Sequence, residues 1–107
     1  MSAERDGRGV FVVRAEVRED LRDAFDAWYE AEHLPQARDA LGAVSARRGW
    51  STVDEGVHCA IYEFDSAEQM TSKVGSRDLQ GLLEAFDTAW PEGVSRRRDF
   101  LEVAQRI

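Results

Sequence analysis

The chain has 107 residues, enough for one domain with a real core and too few for two. Its formal net charge of −7 argues against nucleic-acid backbones and anionic membrane surfaces as partners. No apolar run approaches the roughly 20 residues that cross a bilayer, the N-terminus lacks a signal-peptide core, and the single cysteine cannot close an internal disulfide, so a cytoplasmic protein is expected.

"MSAERDGRG" is polar and charged, and residues 1–8 read as a flexible N-terminal arm before one domain over 9–107. "VFVVRAEV" (10–17) is β-rich and follows Gly9, which suggests a strand. From Glu19 to His33, Leu21, Ala24, Phe25, Trp28 and Tyr29 recur at helical spacing, with Arg22, Asp23, Asp26 and Glu30 on the other face. Pro35 is expected to stop that helix. Gly42 introduces a second strand, "AVSARRGW" (43–50), and "STVDEG" turns the chain into a third, "VHCAIYEF" (57–64).

Ser66 and Gln69 form the S-x-x-Q of a capping box, so a helix should begin at residue 67. Gly75 and Ser76 interrupt it, after which Leu79, Leu82, Leu83, Phe86 and Trp90 make an apolar stripe ended by Pro91. "RRRDFLEVAQRI" (96–107) contains the last strand. The order β-α-β-β-α-β is the split βαβ of the ferredoxin-like α+β fold, a four-stranded antiparallel sheet with its helices on one face.

Alternation along the strands sets Phe11, Val13, Ala15 and Val17 on one face of strand one, with Val10 and Val12 opposite before Arg14 and Glu16. In strand three, Val57, Cys59 and Ile61 oppose His58, Ala60, Tyr62 and Phe64. Both sheet faces are substantially apolar, yet two helices cover only one. A second copy packed sheet against sheet would cover the other, so a homodimer is expected.

"FDAWYEAEHLP", with "GAVSARRG", "AIYEF" and the closing "RRRDFLEVAQRI", resembles the dimeric α/β-barrel superfamily, and in particular its EthD-like branch, which has a W-Y-x-x-E-H-L-P-type helix end. The similarity spans roughly residues 9 to 107, and the helix end is its one specific motif. The resemblance implies a ferredoxin-like protomer that dimerises into a barrel enclosing a mostly apolar pocket. Members include cofactor-independent monooxygenases, decarboxylases, isomerases and polyketide cyclases, besides many without a known activity. The family's motif histidine falls on His33.

His33, read at the C-terminal end of its helix, is where an imidazolium is favoured, while a nearby apolar pocket would push its pKa down. Near neutrality it would serve as a general acid or base; otherwise it caps the last carbonyls while Trp28 anchors the core. His58 and Tyr62 share a face of strand three. There they offer a polar handle in an apolar cavity, or, if that face meets the helices, they are satisfied core residues. Arg14 shares a strand face with Glu16 and either reaches a substrate or frays toward solvent. Arg96–Arg98 could recognise a carboxylate or form a solvated strand start.

Sharper alternatives lack their signatures. Glu30-x-x-His33 has the spacing of helical di-metal sites, but such sites need the motif twice, so no metal is expected. His58 and Cys59 are adjacent on a strand and point to opposite faces, which excludes a simple nucleophilic dyad. No G-x-S-x-G, P-loop or G-x-G-x-x-G occurs. RNA-recognition motifs share the topology, but Cys59 and Ile61 stand where stacking aromatics belong, and no nucleic-acid or membrane partner is expected.

Two functions follow. One is a cofactor-independent enzyme acting on a small apolar carbonyl or phenolic compound, with His33 catalytic and Tyr62, His58, Arg14 and Trp28 around the substrate. The other is a non-catalytic ligand-binding or assembly module whose cavity is filled by its own side chains.

Overall fold

A computed structural model describes residues 6–107. The expected arm over 1–8 thus lies mostly outside the described residues, but its last part is held: Gly7 N–H donates to the Val103 carbonyl, and the Gly7 carbonyl accepts from Ala67 N–H. Four strands, β1 (Gly9–Val17), β2 (Ser45–Trp50), β3 (Val57–Phe64) and β4 (Val94–Glu102), form one antiparallel sheet in the order β2-β3-β1-β4. With the helices between β1 and β2 and between β3 and β4, this is the expected ferredoxin-like arrangement.

The register decides which side chains meet the helices. Phe11 stands opposite Tyr62 on one side and Phe100 on the other, and Ala15 stands between His58 and Arg96. Phe11, Val13, Ala15 and Val17 are buried with His58, Ala60, Tyr62 and Phe64, so this face carries the core. Val10, Val12, Cys59, Ile61 and Leu101 lie on the uncovered face, where the strand register also places Arg14, Glu16 and Arg97. That face is apolar toward one end only, less so than the alternation implied.

The first helix departs from expectation at Pro35. After a 3₁₀ turn (Glu19–Leu21), α1 (Arg22–Trp28) runs without a break through a π-helical turn (Tyr29–His33) into α2 (Leu34–Leu41), which has Pro35 in its first turn. Pro35 therefore does not stop the helix, and His33 lies within the helical run. The Leu34 N–H reaches back five residues to the Tyr29 carbonyl. This wider turn accommodates a residue with no N–H, as π-bulges do.

Other boundaries match the sequence closely. Ser66 caps α3 (Ala67–Val74) by accepting from Gln69 N–H at 3.1 Å. After Gly75, Ser76 caps α4 (Arg77–Ala89) through Leu79 N–H at 3.3 Å. The helical run ends at Gly42, φ 66°, where Gly42 and Ala43 N–H groups bond the Asp39 and Arg38 carbonyls. This is a Schellman closure that needs a left-handed residue. Gly42→Ala should lower stability by about 1 kcal/mol, read as a reduced urea midpoint with an unchanged slope.

Candidate functional site

The helical run lays one line of side chains on the sheet. Phe25, Tyr29, His33, Ala37 and Leu41 are all buried. Trp28 stacks on the His33 ring, centroids 4.3 Å apart and planes 16° from parallel, and so fixes its orientation. Phe86 of α4 meets the same imidazole edge-on at 5.7 Å. No protein group bonds the His33 ring among the described residues, and its Nδ1 is buried without a partner.

Tyr62, from the middle of β3, completes the site from below. Tyr29, His33 and Tyr62 line one cavity with Leu82, Phe86 and Arg96. The enclosed space is about 20 Å³, which fits about one water molecule. Burial pushes the Tyr29 hydroxyl up to about 12, against a hydrogen bond with Tyr62 and the charges of Arg96 and Arg48. Burial raises Tyr62 as well, and the Tyr29 hydroxyl adds to it. Both phenols thus stay protonated near neutrality; Tyr62 donates to Tyr29, whose own hydrogen is left to donate. Burial, reinforced by the Arg96 charge, lowers His33 to about 4. Its imidazole is neutral at pH 7, opposite to the helix-end effect considered from the sequence.

His58 heads a second polar group. Arg48 Nη1 lies 3.3 Å from its Nε2 and donates to Asp26 Oδ1 at 2.7 Å, while Trp50 Nε1 donates to the same oxygen at 2.8 Å. A guanidinium only donates, so Nε2 accepts and the proton sits on Nδ1, which is buried without a partner. Burial, with the Arg48 charge, lowers His58 to about 4 against the opposing pull of Asp26. The hydrogen bonds from Arg48 and Trp50 hold Asp26 below the usual carboxylate range.

Of the expected residues, the fold brings His33, Tyr62 and Trp28 together, Trp28 as the stacking partner of His33. His58 is fully buried beneath Tyr29, ring centroids 4.5 Å apart, and supports that ring without lining the cavity. Arg14 does not join them: it stands on the uncovered sheet face and pairs with Asp54 at 3.1 Å. The cavity lies between sheet and helices within one chain, away from the face where a barrel lumen was expected. Glu30 is exposed and does not converge with His33, and no cluster of three or more metal-ligating side chains occurs among the described residues. Sequence reasoning missed Tyr29 as a lining residue, and raised Arg96 only within a run that could recognise a carboxylate or form a solvated strand start. Tyr29 carried a signal, since it precedes His33 by one helical turn.

No protein-family model matches the chain, and no curated protein sequence matches it. Solved structures do. A nipsnap family protein with unknown function from Agrobacterium tumefaciens superposes with a TM-score of 0.72 at 11% identity, over 98% of this chain and 96% of that one. The fold is shared. SnoaB, a cofactor-independent oxygenase from Streptomyces nogalater, gives 0.68 at 12% identity over 94% and 97% of the two chains. An EthD family protein from Bacillus halodurans gives 0.64 at 12% identity over 85% and 96%. The ferredoxin-like fold is thereby shown to be shared with these proteins, an EthD family protein among them, and at these identities the likeness concerns the fold alone.

The two buried histidines set a pH dependence. Each falls from an ordinary 6.5 to about 4 on folding, so the unfolded chain binds more protons between those values. Their contribution to stability is intact above pH 6.5 and is lost as pH falls toward 4. Urea midpoints should drop between about pH 7 and about pH 5, with a shallower fall in His58→Phe.

Proposed function

We propose that this chain is a small-molecule enzyme that runs cofactor-independent proton-transfer chemistry on a small apolar carbonyl or phenolic compound. The observation that carries this reading is a neutral, buried imidazole with an unpaired ring nitrogen, lining the same cavity as two protonated phenols bonded to each other. The free nitrogen of His33 takes a proton from the carbon beside a carbonyl or from a phenolic oxygen. In the carbonyl case the C–H pair becomes the new C=C bond and the carbonyl π pair moves onto oxygen. Tyr29, which accepts from the Tyr62 hydroxyl, donates its own hydrogen to that oxyanion, a role a preorganised donor fills well. Decarboxylation, cyclisation, isomerisation and oxygenation can all proceed through such an anion.

A pKa of about 4 keeps His33 unprotonated but makes it a weak base in the empty site. A developing enolate beside it favours the imidazolium, so base strength rises as the reaction proceeds.

A second reading, a ligand-binding or assembly module, draws on the enclosed volume of about 20 Å³, which admits no substrate unless lining side chains move aside. Under either reading we propose a homodimer through the uncovered sheet face, supported by Val10, Val12, Ile61 and Leu101 lying together there, Leu101 at 45% exposure. A cytoplasmic location belongs to the same proposal. It is supported by the unpaired Cys59, and no helix among the described residues is long and apolar enough to cross a membrane.

An imidazole NMR titration against small aromatic ketones and phenols tests the enzyme reading. His33 signals should move with a ligand, and turnover found with that compound should vanish in His33→Ala while the dimer stays folded. Full activity in His33→Ala would defeat it. Light scattering checks the dimer separately: Val12→Asp with Ile61→Asp should give monomers, because two buried charges would face their own copies.

A further inference from the structure

Two arginines at the mouth of this cavity have no part in the chemistry above. The register of β4 sets Arg96 and Arg98 on the helix-facing side and turns Arg97 to the other. The Arg96 side chain is only 16% exposed, lies 4.1 Å over the Phe86 ring and donates to Asp87 Oδ1 at 2.8 Å. Asp87 is itself 71% exposed, so a desolvated cation is answered by a carboxylate that water screens. Arg98 puts a second positive charge on the same face, and it makes no ion pair or side-chain hydrogen bond among the described residues. Burial pushes the Arg96 guanidinium down; Asp87 counters that and Arg98 adds to it. Such an unbalanced cation pair is notable on a chain whose net charge is −7.

The pair stands where two spaces meet. Outside the enclosed cavity runs a groove of about 440 Å³, walled by Val74, Leu79, Leu83 and Phe100. It shares Leu79, Leu83, Arg96 and Arg98 with the inner cavity. Its size suits a small organic molecule, and four apolar side chains wall it beside Arg96, Arg98 and Gln80, whose polar surface is the larger share.

We propose that this junction is an anion subsite that selects a small amphiphilic acid, whose carboxylate is held by Arg98 and Arg96 while its apolar body lies along the groove. Paired guanidiniums match a carboxylate's planar geometry, and the ligand supplies the charge that Asp87 answers only in part. The inference deepens the enzyme reading and rests on it: a keto or phenolic acid held here presents its second oxygen toward Tyr29 and Tyr62. It also links binding to the base. Arg96 helps to depress His33, so an anion that neutralises Arg96 moves His33 upward from about 4.

Matched probes test it. Benzoylformate, 4-hydroxyphenylacetate and octanoate are each titrated beside the corresponding methyl ester into the wild type, Arg98→Gln and Arg98→Lys, following the His33 ring protons. At least one acid should bind about tenfold or more tightly than its ester and raise the His33 pKa. Arg98→Gln should erase that preference and Arg98→Lys should keep part of it, all three proteins sharing one urea midpoint because Arg98 is exposed. Equal response to acid and ester, or a preference unchanged in Arg98→Gln, overturns the anion subsite and leaves the enzyme reading standing. If no probe of either kind reaches His33, both fall.

Discussion

Pro35 has no N–H to give to the Ala31 carbonyl, and the helix that runs through it widens just before it instead of breaking. The widening is the π turn over Tyr29–His33, and it does more than relieve a clash. The buried residues of the run are Phe25, Tyr29, His33, Ala37 and Leu41, one every four positions. A regular α-helix gains about 40° for each four-residue step, which over four steps would carry Leu41 to the far side from Phe25. A π turn has more residues per turn and drifts the other way, so the line stays on the sheet. Tyr29 and His33 reach one cavity because the helix is locally not an α-helix, in keeping with the occurrence of such turns at functional sites.

The polar interior follows from that placement. His33, Tyr29, Tyr62 and His58 are each under a tenth exposed, and two histidine nitrogens lack partners. An unpaired buried polar group costs about 1–3 kcal/mol, which packing alone does not require. The aromatic cage makes up for it. Phe25 touches Trp28, Tyr29, Trp50, His58, Phe86 and Trp90 with centroids 5.2–6.2 Å apart, and Trp28, Tyr29 and Phe86 of that cluster also pack on the His33 ring, which no hydrogen bond holds among the described residues. Stability and readiness for chemistry are therefore opposed at this site: the burial that makes both histidines neutral is also what acid would undo.

The electrostatics are divided along the sheet. Asp26, Arg48 and Trp50 satisfy one another around His58, so that end is closed and structural. At the β4 edge the charges do not balance, and that end is open to a groove. The asymmetry separates the two histidines, which from composition alone look equivalent.

Local chemistry in the sequence determined much of the fold. Strand alternation, the Ser66 cap, the break at Gly75 and Ser76 and the βαββαβ order depend on near neighbours, and each was legible, whereas Gly42 was read as the start of a strand and not as the closure of the helix before it. So was the resemblance carried by "WYEAEHLP", which led to His33. The fate of Pro35 was not legible, because whether a helix stops or widens depends on the sheet surface it packs against. Nor could alternation say which face of β3 the helices would cover, and that choice buried Tyr62 beside His33 and sent Arg14 to the other side. Alternation along a strand separates Arg97 from Arg96 and Arg98, but only pairing with β1 turned Arg96 and Arg98 toward the helices. Tertiary structure decided those matters because each is a question of what lies across a gap, where spacing along the chain carries no information.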